Sequence, residues 1–434
     1  MSSSQSRRQF LRYSTALSAG VLVEGCASRP RSPAATLHGA TLATTPPAGA
    51  STDSTDLIVK PTPSLYFTSR EAGSREMKWG PVKDYGDTVP AERFYVHNRA
   101  RPPKIDLATW RLEIGGDAAG RPVSLTYDQL LALPQVTVRR TLDCGANCRA
   151  FFPHLPAKGG AGWLPIGFTQ WHFGAVGVAD WTGVRLKDVL DAAGVSGDAV
   201  AVMFTGLDSI PANGSHEPYA QVIPIEKVLA ADTLLAHHMN GQPLPIDHGY
   251  PVRAIFSGWG GNTAVKWLGR IHVSKQPIPH PTFQARQIIV GPDVPKAYTP
   301  TVGRVRSALE LDADTTLPPG DHVLRGRAWS GAGAIDRVDV SIERLVAPDT
   351  WTPVSSPPWR EAQLLGKPEP MVWVRFELPW PRVEPGRYRI MTRARDAAGN
   401  AQPRPEDVIW NQQGLGYNGH APLEVAVLDM NTMP

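Results

Sequence analysis

The sequence predicts an α+β domain followed by an antiparallel β-sandwich, and three observations carry that reading. Between about residues 85 and 290, strand-like alternation and helix-like spacing take turns without regular βαβ repetition or a dinucleotide glycine fingerprint. From about residue 298 onward only period-two alternation remains. Proline and glycine are frequent, 42 and 40 residues, which favours turns over long helices. A length of 434 residues accommodates two or three domains, and 42% hydrophobic with 19% charged residues is ordinary for a globular chain.

Taken from the N-terminus, residues 1–26 read as an export signal. Ser6-Arg7-Arg8-Gln9-Phe10-Leu11 is a twin-arginine pattern, followed by a modestly apolar segment from Leu17 to Val23. That route carries folded proteins to the periplasm and suits a cofactor inserted before export. Val23-Glu24-Gly25-Cys26 has the form of a lipobox, apart from Glu24. Cys26 is therefore read either as a lipid anchor or as a residue near an ordinary cleavage site. Residues 27–60 are rich in Ala, Pro, Ser and Thr and lack aromatics, which reads as a flexible linker. Net charge is +4, and three arginines against one glutamate in the first 26 residues supply half of it. Nothing there supports a nucleic-acid partner. No apolar run approaches the ~20 residues of a membrane-spanning helix.

The strand and helix signals follow in order. Trp110, Leu112 and Ile114 alternate with Arg111 and Glu113, as in a half-buried strand. Tyr127 to Leu131 reads as a short helix capped by Thr126 and halted by Pro134. Val184, Leu186, Val189, Leu190 and Ala193 fall at helical spacing, closed by Gly194, and Ile225 to Leu229 begins another short helix. Val252 to Phe256 reads as a buried strand running into Gly258-Trp259-Gly260-Gly261. In the C-terminal part, Val338-Val340-Ile342, Val374-Phe376-Leu378, Tyr388-Ile390-Thr392 and Leu423-Val425-Val427 each alternate with polar residues.

The only cysteines are Cys26, Cys144 and Cys148. They cannot supply covalent haem attachment, a four-thiolate iron–sulfur cluster or a structural zinc site of usual spacing. In Thr141-Leu142-Asp143-Cys144-Gly145-Ala146-Asn147-Cys148-Arg149, a thiol sits among small residues with a cation five positions on. By itself it is equally a core residue, half of a Cys144–Cys148 disulfide, a nucleophile or a metal ligand.

Other motifs surround that stretch in a fixed order. Upstream is Glu92-Arg93-Phe94-Tyr95-Val96-His97-Asn98-Arg99, and downstream come Gly174-Ala175-Val176-Gly177 and Gly206-Leu207-Asp208-Ser209. Asp247-His248-Gly249-Tyr250-Pro251-Val252-Arg253 and Val265-Lys266-Trp267-Leu268 follow. Together, across residues 85–428, they resemble the sulfite oxidase family of molybdopterin oxidoreductases. The resemblance implies a mixed α/β molybdopterin-binding catalytic domain over residues 61–295. It also implies an immunoglobulin-like dimerisation domain over 296–434, hence a homodimer. It implies one molybdenum–molybdopterin per chain, with Cys144 as the protein ligand to the metal and Arg149 facing an oxyanion substrate. The pterin cradle it implies is Tyr95, His97, Asn98, Arg99, Asp208, His248, Arg253, Val265 and Lys266.

The activity implied is oxygen-atom transfer, oxidation of sulfite or a related sulfur compound, with electrons passed to an external acceptor such as a c-type cytochrome. Its rivals are reduction of a sulfoxide or similar oxide, and a lipid-anchored binding protein that kept the fold without catalysis. Three positions depart from the family pattern. His97-Asn98-Arg99 exchanges the usual order of arginine and histidine, Cys148 stands where relatives carry a basic residue, and Ile288 stands where they carry a tyrosine. With His97 facing the oxyanion, the expectation is weak sulfite binding and a KM that rises as pH climbs through the imidazole titration.

Overall fold

A computed structural model describes residues 57–152, 169–212 and 214–429. The twin-arginine segment, Cys26 and the linker up to residue 56 lie outside the described residues.

Two sheets build the first domain. One runs Ala220–Pro224, Ala201–Gly206, Leu268–Ser274, Leu112–Gly115, Val123–Leu125, with a parallel pair between Leu268–Ser274 and Leu112–Gly115. The other runs Gln242–Pro243, Thr233–Met239, Val176–Arg185, Gln135–Asp143, and Arg253–Phe256 also pairs with Thr233–Met239. Leu112, Phe204 and Ile271 of the first sheet share a core with Val184, Leu235 and Phe256 of the second. A small sheet of Phe67–Glu71, Ser74–Met77 and Val96–His97 brings the first motif alongside. Gly177 is required where the layers meet, because a Cβ there would lie 2.5 Å from the Phe94 ring.

The expected helices form, but each is short. Tyr127–Leu131 carries the Thr126 capping box, and Leu186–Ala192 is followed by Gly194 at φ 65°. With Ile225–Val228 and Thr282–Ala285, no α-helix among the described residues exceeds seven residues. The α+β expectation is thereby corrected to a mostly β architecture. Helical periodicity was present, but Pro134 follows Tyr127–Leu131 and Gly194 follows Leu186–Ala192, so neither helix passes two turns.

The C-terminal domain pairs two sheets over one core. Phe376 and Leu378 of the four-stranded sheet pack with Val340, Ile342, Ile390 and Val425 of the six-stranded sheet. Its strands are antiparallel except for Thr316–Leu317 beside Leu423–Val427. The alternation holds on the core side. On the other side, Asp339 and Ser341 are buried rather than exposed, and Asp339 takes hydrogen bonds from Arg337 and Arg393.

The linker ends earlier than expected. Ile58 is buried, and the backbone N–H groups of Val59 and Lys60 donate to the Asp247 carboxylate at 3.0 and 2.7 Å.

Candidate active site

Strand Gln135–Asp143 carries the chain directly to Cys144, whose N–H donates to Ala175 O at 2.9 Å. Asn147 holds the next residues, accepting from Ala175 N at 3.1 Å and donating to Phe173 O at 3.3 Å. Cys144 lines a cleft. Tyr95, His97, Arg99, Arg149, Asp208, His248, Arg253 and Lys266 line the same cleft, so motifs spread over 172 positions converge on one place.

Two expected residues do not line it. Val265 is fully buried in the core, while Ala264 and Lys266 on either side face the cleft. These residues lie in irregular chain between the Gly261–Thr263 turn and strand Leu268–Ser274, and the motif could not say which way Val265 points. Asn98 lies behind the wall as a brace. Its amide donates to Asp247 Oδ1 at 2.9 Å and its oxygen accepts from Lys266 Nζ. Both thiols are free, which removes the disulfide reading. Cys148 turns instead into a cluster with Phe152 and Tyr417.

The cations are held by carbonyls. Arg149 donates to Gln413 O at 3.0 Å and Thr169 O at 3.0 Å. Gly414, at φ 57°, is needed beside it, since a Cβ would approach Arg149 Cγ to 2.7 Å. Arg253 donates to His248 O at 3.0 Å and Ala264 O at 3.3 Å, lies 5.2 Å from the Trp181 ring centroid, and leaves its Nε without a partner. Lys266 donates to His97 O at 3.1 Å and Asp247 O at 2.9 Å, and burial pulls it down to about 7. Asp208 accepts from Tyr219 N at 2.9 Å, and burial raises its carboxyl.

Several contributors were not visible in the sequence. Trp171, Tyr219 and Asn262 line the cleft, as do Gln413 and Leu415 from the C-terminal domain. Lys60, assigned to the linker, places its ammonium 3.1 Å from His248 Nε2 and donates to the carbonyls of Ala91 and Phe94.

The surroundings of His97 in the cofactor-free protein oppose the expected titration near neutrality. Burial, then Arg99, Lys266 and Arg149, hold its imidazole well below the ordinary range. Burial, Lys60, Arg253 and Lys266 do the same to His248. For bases with depressed folded values, the unfolded chain takes up protons first, so stability falls as pH drops below about 6.5. Urea unfolding of the cofactor-free protein should show these two rings costing about 2–3 kcal/mol between pH 7.5 and 5.5. A flat profile would mean that they are solvated. The KM for sulfite should show no His97 step between about pH 6 and 8.

The donor set fits a polyanionic, polar-edged group with a soft metal. Burying the Arg149 and Arg253 guanidiniums in the wall of one cleft is costly without an anion to receive them. Among the described residues no three His, Cys, Asp or Glu side chains converge as a metal cage, and Cys144 is the cysteine that lines the cleft, so a soft metal there would take its thiolate and bring its other ligands with the group.

Comparison with known proteins agrees. The family model of an oxidoreductase molybdopterin-binding domain matches residues 99–282, and that of a Mo-co oxidoreductase dimerisation domain matches 304–426. Sulfite oxidase of Gallus gallus is 34% identical over 348 residues, 75% of this chain and 70% of that protein. Mitochondrial sulfite oxidase of Rattus norvegicus is 32% identical over 370 residues, and the chain spans 62% of that protein's length. Nitrate reductase [NADH] of Ulva prolifera is 29% identical over 381 residues, 82% of this chain and 42% of that protein. In fold, the crystal structure of the sulfane dehydrogenase SoxCD from Paracoccus pantotrophus aligns with a TM-score of 0.66 at 24% identity, covering 80% of this chain and 83% of that one.

Proposed function

Because this chain belongs to the sulfite oxidase family of molybdopterin oxidoreductases, we propose that it transfers oxygen to a reduced sulfur group, sulfite first among candidates, and gives the electrons to an external acceptor such as a c-type cytochrome. The observation that carries this reading is that Cys144 lines the cleft that Arg99 and Arg149 also line. When bound, molybdenum held by the pterin dithiolene and Cys144 supplies the oxygen-transfer and two-electron chemistry. The chain's residues do the rest. Arg253, Lys266 and His248 receive the pterin's phosphate and polar edges, and Asp208 accepts from its N–H groups. Arg149, kept in place by Gln413 and Thr169 carbonyls, orients the oxyanion.

A neutral or larger reduced-sulfur substrate is the second reading, favoured by three features. Burial and nearby cations hold His97 below the ordinary imidazole range, Leu142, Trp171 and Leu415 form part of the wall, and Ile288 stands where the resemblance expects a tyrosine. Tyr219 does not fill that role, because its hydroxyl is committed to Asn262 O at 2.6 Å and accepts from Gln287 at 2.8 Å. Metal analysis should find about one molybdenum per chain, and sulfite should reduce cytochrome c in steady-state assays. A protein that matures without metal would favour a binding role. One that only reduces sulfoxides with an artificial donor would reverse the direction.

Residues 304–426 support a homodimer through an immunoglobulin-like domain, testable by sedimentation. Export by the twin-arginine route is part of the same reading. Changing Arg7 and Arg8 to Lys should leave cofactor-bearing precursor in the cytoplasm, and normal export of that variant would favour the general secretory route. The mass of the mature N-terminus distinguishes a lipidated Cys26 from simple cleavage.

A further inference from the structure

We propose that Arg306 supplies, from the C-terminal domain, the cation that relatives carry on the metal-holding loop at position 148, and that it positions that loop around Cys144. This inference rests on the functional reading above for the role of Cys144.

Arg306 opens the first strand of the C-terminal domain, Arg306–Leu309, and is paired in register with Trp329. Both side chains cross to the same oxygen. Arg306 Nη1 donates to Asp143 Oδ2, and Trp329 Nε1 donates to it at 3.0 Å. The guanidinium also donates to Tyr417 O at 2.8 Å and Asn147 O at 3.4 Å. The buried Cys148 follows Asn147 directly in the loop. Arg306, Asp143, Asn147 and Cys148 are all buried. One guanidinium therefore touches the loop at residues 143 and 147, on both sides of Cys144. It does not line the cleft, so it acts through the loop and is a positioning residue.

The same domain grips the loop elsewhere. Gly416 N donates to Gly145 O at 2.9 Å, and Arg149 is tied to the Gln413 carbonyl. A planar fork suits this task, because it reaches a carboxylate and two carbonyls at fixed angles, which an ammonium cannot do. A neutral, buried Cys148 leaves room for the guanidinium from across the interface.

The test uses the full chain as wild type, Arg306→Gln, Asp143→Asn/Arg306→Gln and Cys148→Arg/Arg306→Ala. Cofactor-free protein is treated with iodoacetamide, and alkylation at Cys144 is followed by fragment mass spectrometry. Arg306→Gln should alkylate at Cys144 at least about fivefold faster, since a freed loop opens more often. In loaded protein its molybdenum retention should fall about tenfold, the lower range for residues that orient a metal ligand. The Asp143→Asn/Arg306→Gln variant should stay fast, because the bonds to Tyr417 and Asn147 are still missing. A wild-type rate there would overturn the proposal, leaving Arg306 only the task of neutralising Asp143. Cys148→Arg/Arg306→Ala should recover slow alkylation and metal retention by returning the cation to the loop, and no recovery would overturn the relocation. If Arg306→Gln does not fold, Arg306→Lys keeps the charge without the fork. It should also alkylate faster, and a wild-type rate would count against the proposal. Absence of molybdenum from wild type would sink the functional reading alone, because the alkylation rates are read without metal.

Discussion

Cys144→Ser should lose turnover by about three orders of magnitude, roughly 4 kcal/mol of transition-state stabilisation, and should lose the sulfur-to-molybdenum absorption band. A hydroxyl is a harder and far less acidic ligand than a thiol, so it does not replace thiolate on a soft metal. Burial pushes the Cys144 thiol up in the cofactor-free protein, opposed by the Ala146 amide and Arg149, so deprotonation is coupled to arrival of the metal. Cys148→Ser should keep both the band and most of the activity, because Cys148 faces Phe152 and Tyr417 rather than the cleft. Equal losses in the two variants would contradict this division of roles.

Arg253→Met should separate stability from cofactor retention. Burial pulls the guanidinium down to about 10, which corresponds to about 3 kcal/mol spent on keeping that charge in the cofactor-free fold. Methionine removes this cost and fills similar volume, while the carbonyls of His248 and Ala264 lose their donor. The cofactor-free variant should therefore unfold in urea at a midpoint no lower than wild type. Its pterin retention should drop by about 2–5 kcal/mol in binding terms, as for a truncated buried partner of a charge pair. A variant that is clearly less stable yet retains pterin would show that Arg253 serves the fold rather than the cofactor.

Legibility from sequence was uneven, for physical reasons. Cys144, Tyr95, His97, Arg99, Arg149, Asp208, His248, Arg253 and Lys266 share one cleft because ordered motifs record which residues a family's pocket needs. Side-chain direction was less legible, as Val265 shows: in the irregular chain between the Gly261–Thr263 turn and strand Leu268–Ser274, one step moves a side chain from cleft to core. Long-range juxtaposition was least legible. Gln413 and Leu415 reach the cleft from the other domain, where local alternation reports only their own strand and turn context. Lys60 was hidden by its neighbours, whose composition is that of a linker, although its ammonium is buried against His248. In the β-domain, period two predicted the inward face of Ile335–Ala347 but assigned Asp339 to solvent, where Arg337 and Arg393 cover it.

The segment Leu57–Lys60 has a consequence for protease trimming. Asp247 is 1% exposed, and its donors are the Val59 and Lys60 amides and the Asn98 side chain. A chain clipped just before residue 61 would leave that carboxylate with one donor. His248 would lose the ammonium beside its ring, and the Leu57 carbonyl that accepts from Asn98 would be gone. An unpaired buried carboxylate costs several kcal/mol, enough to consume much of a domain's net stability. Removal of Leu57–Lys60 should therefore release the cofactor and begin unfolding, which limited proteolysis followed by urea unfolding would check.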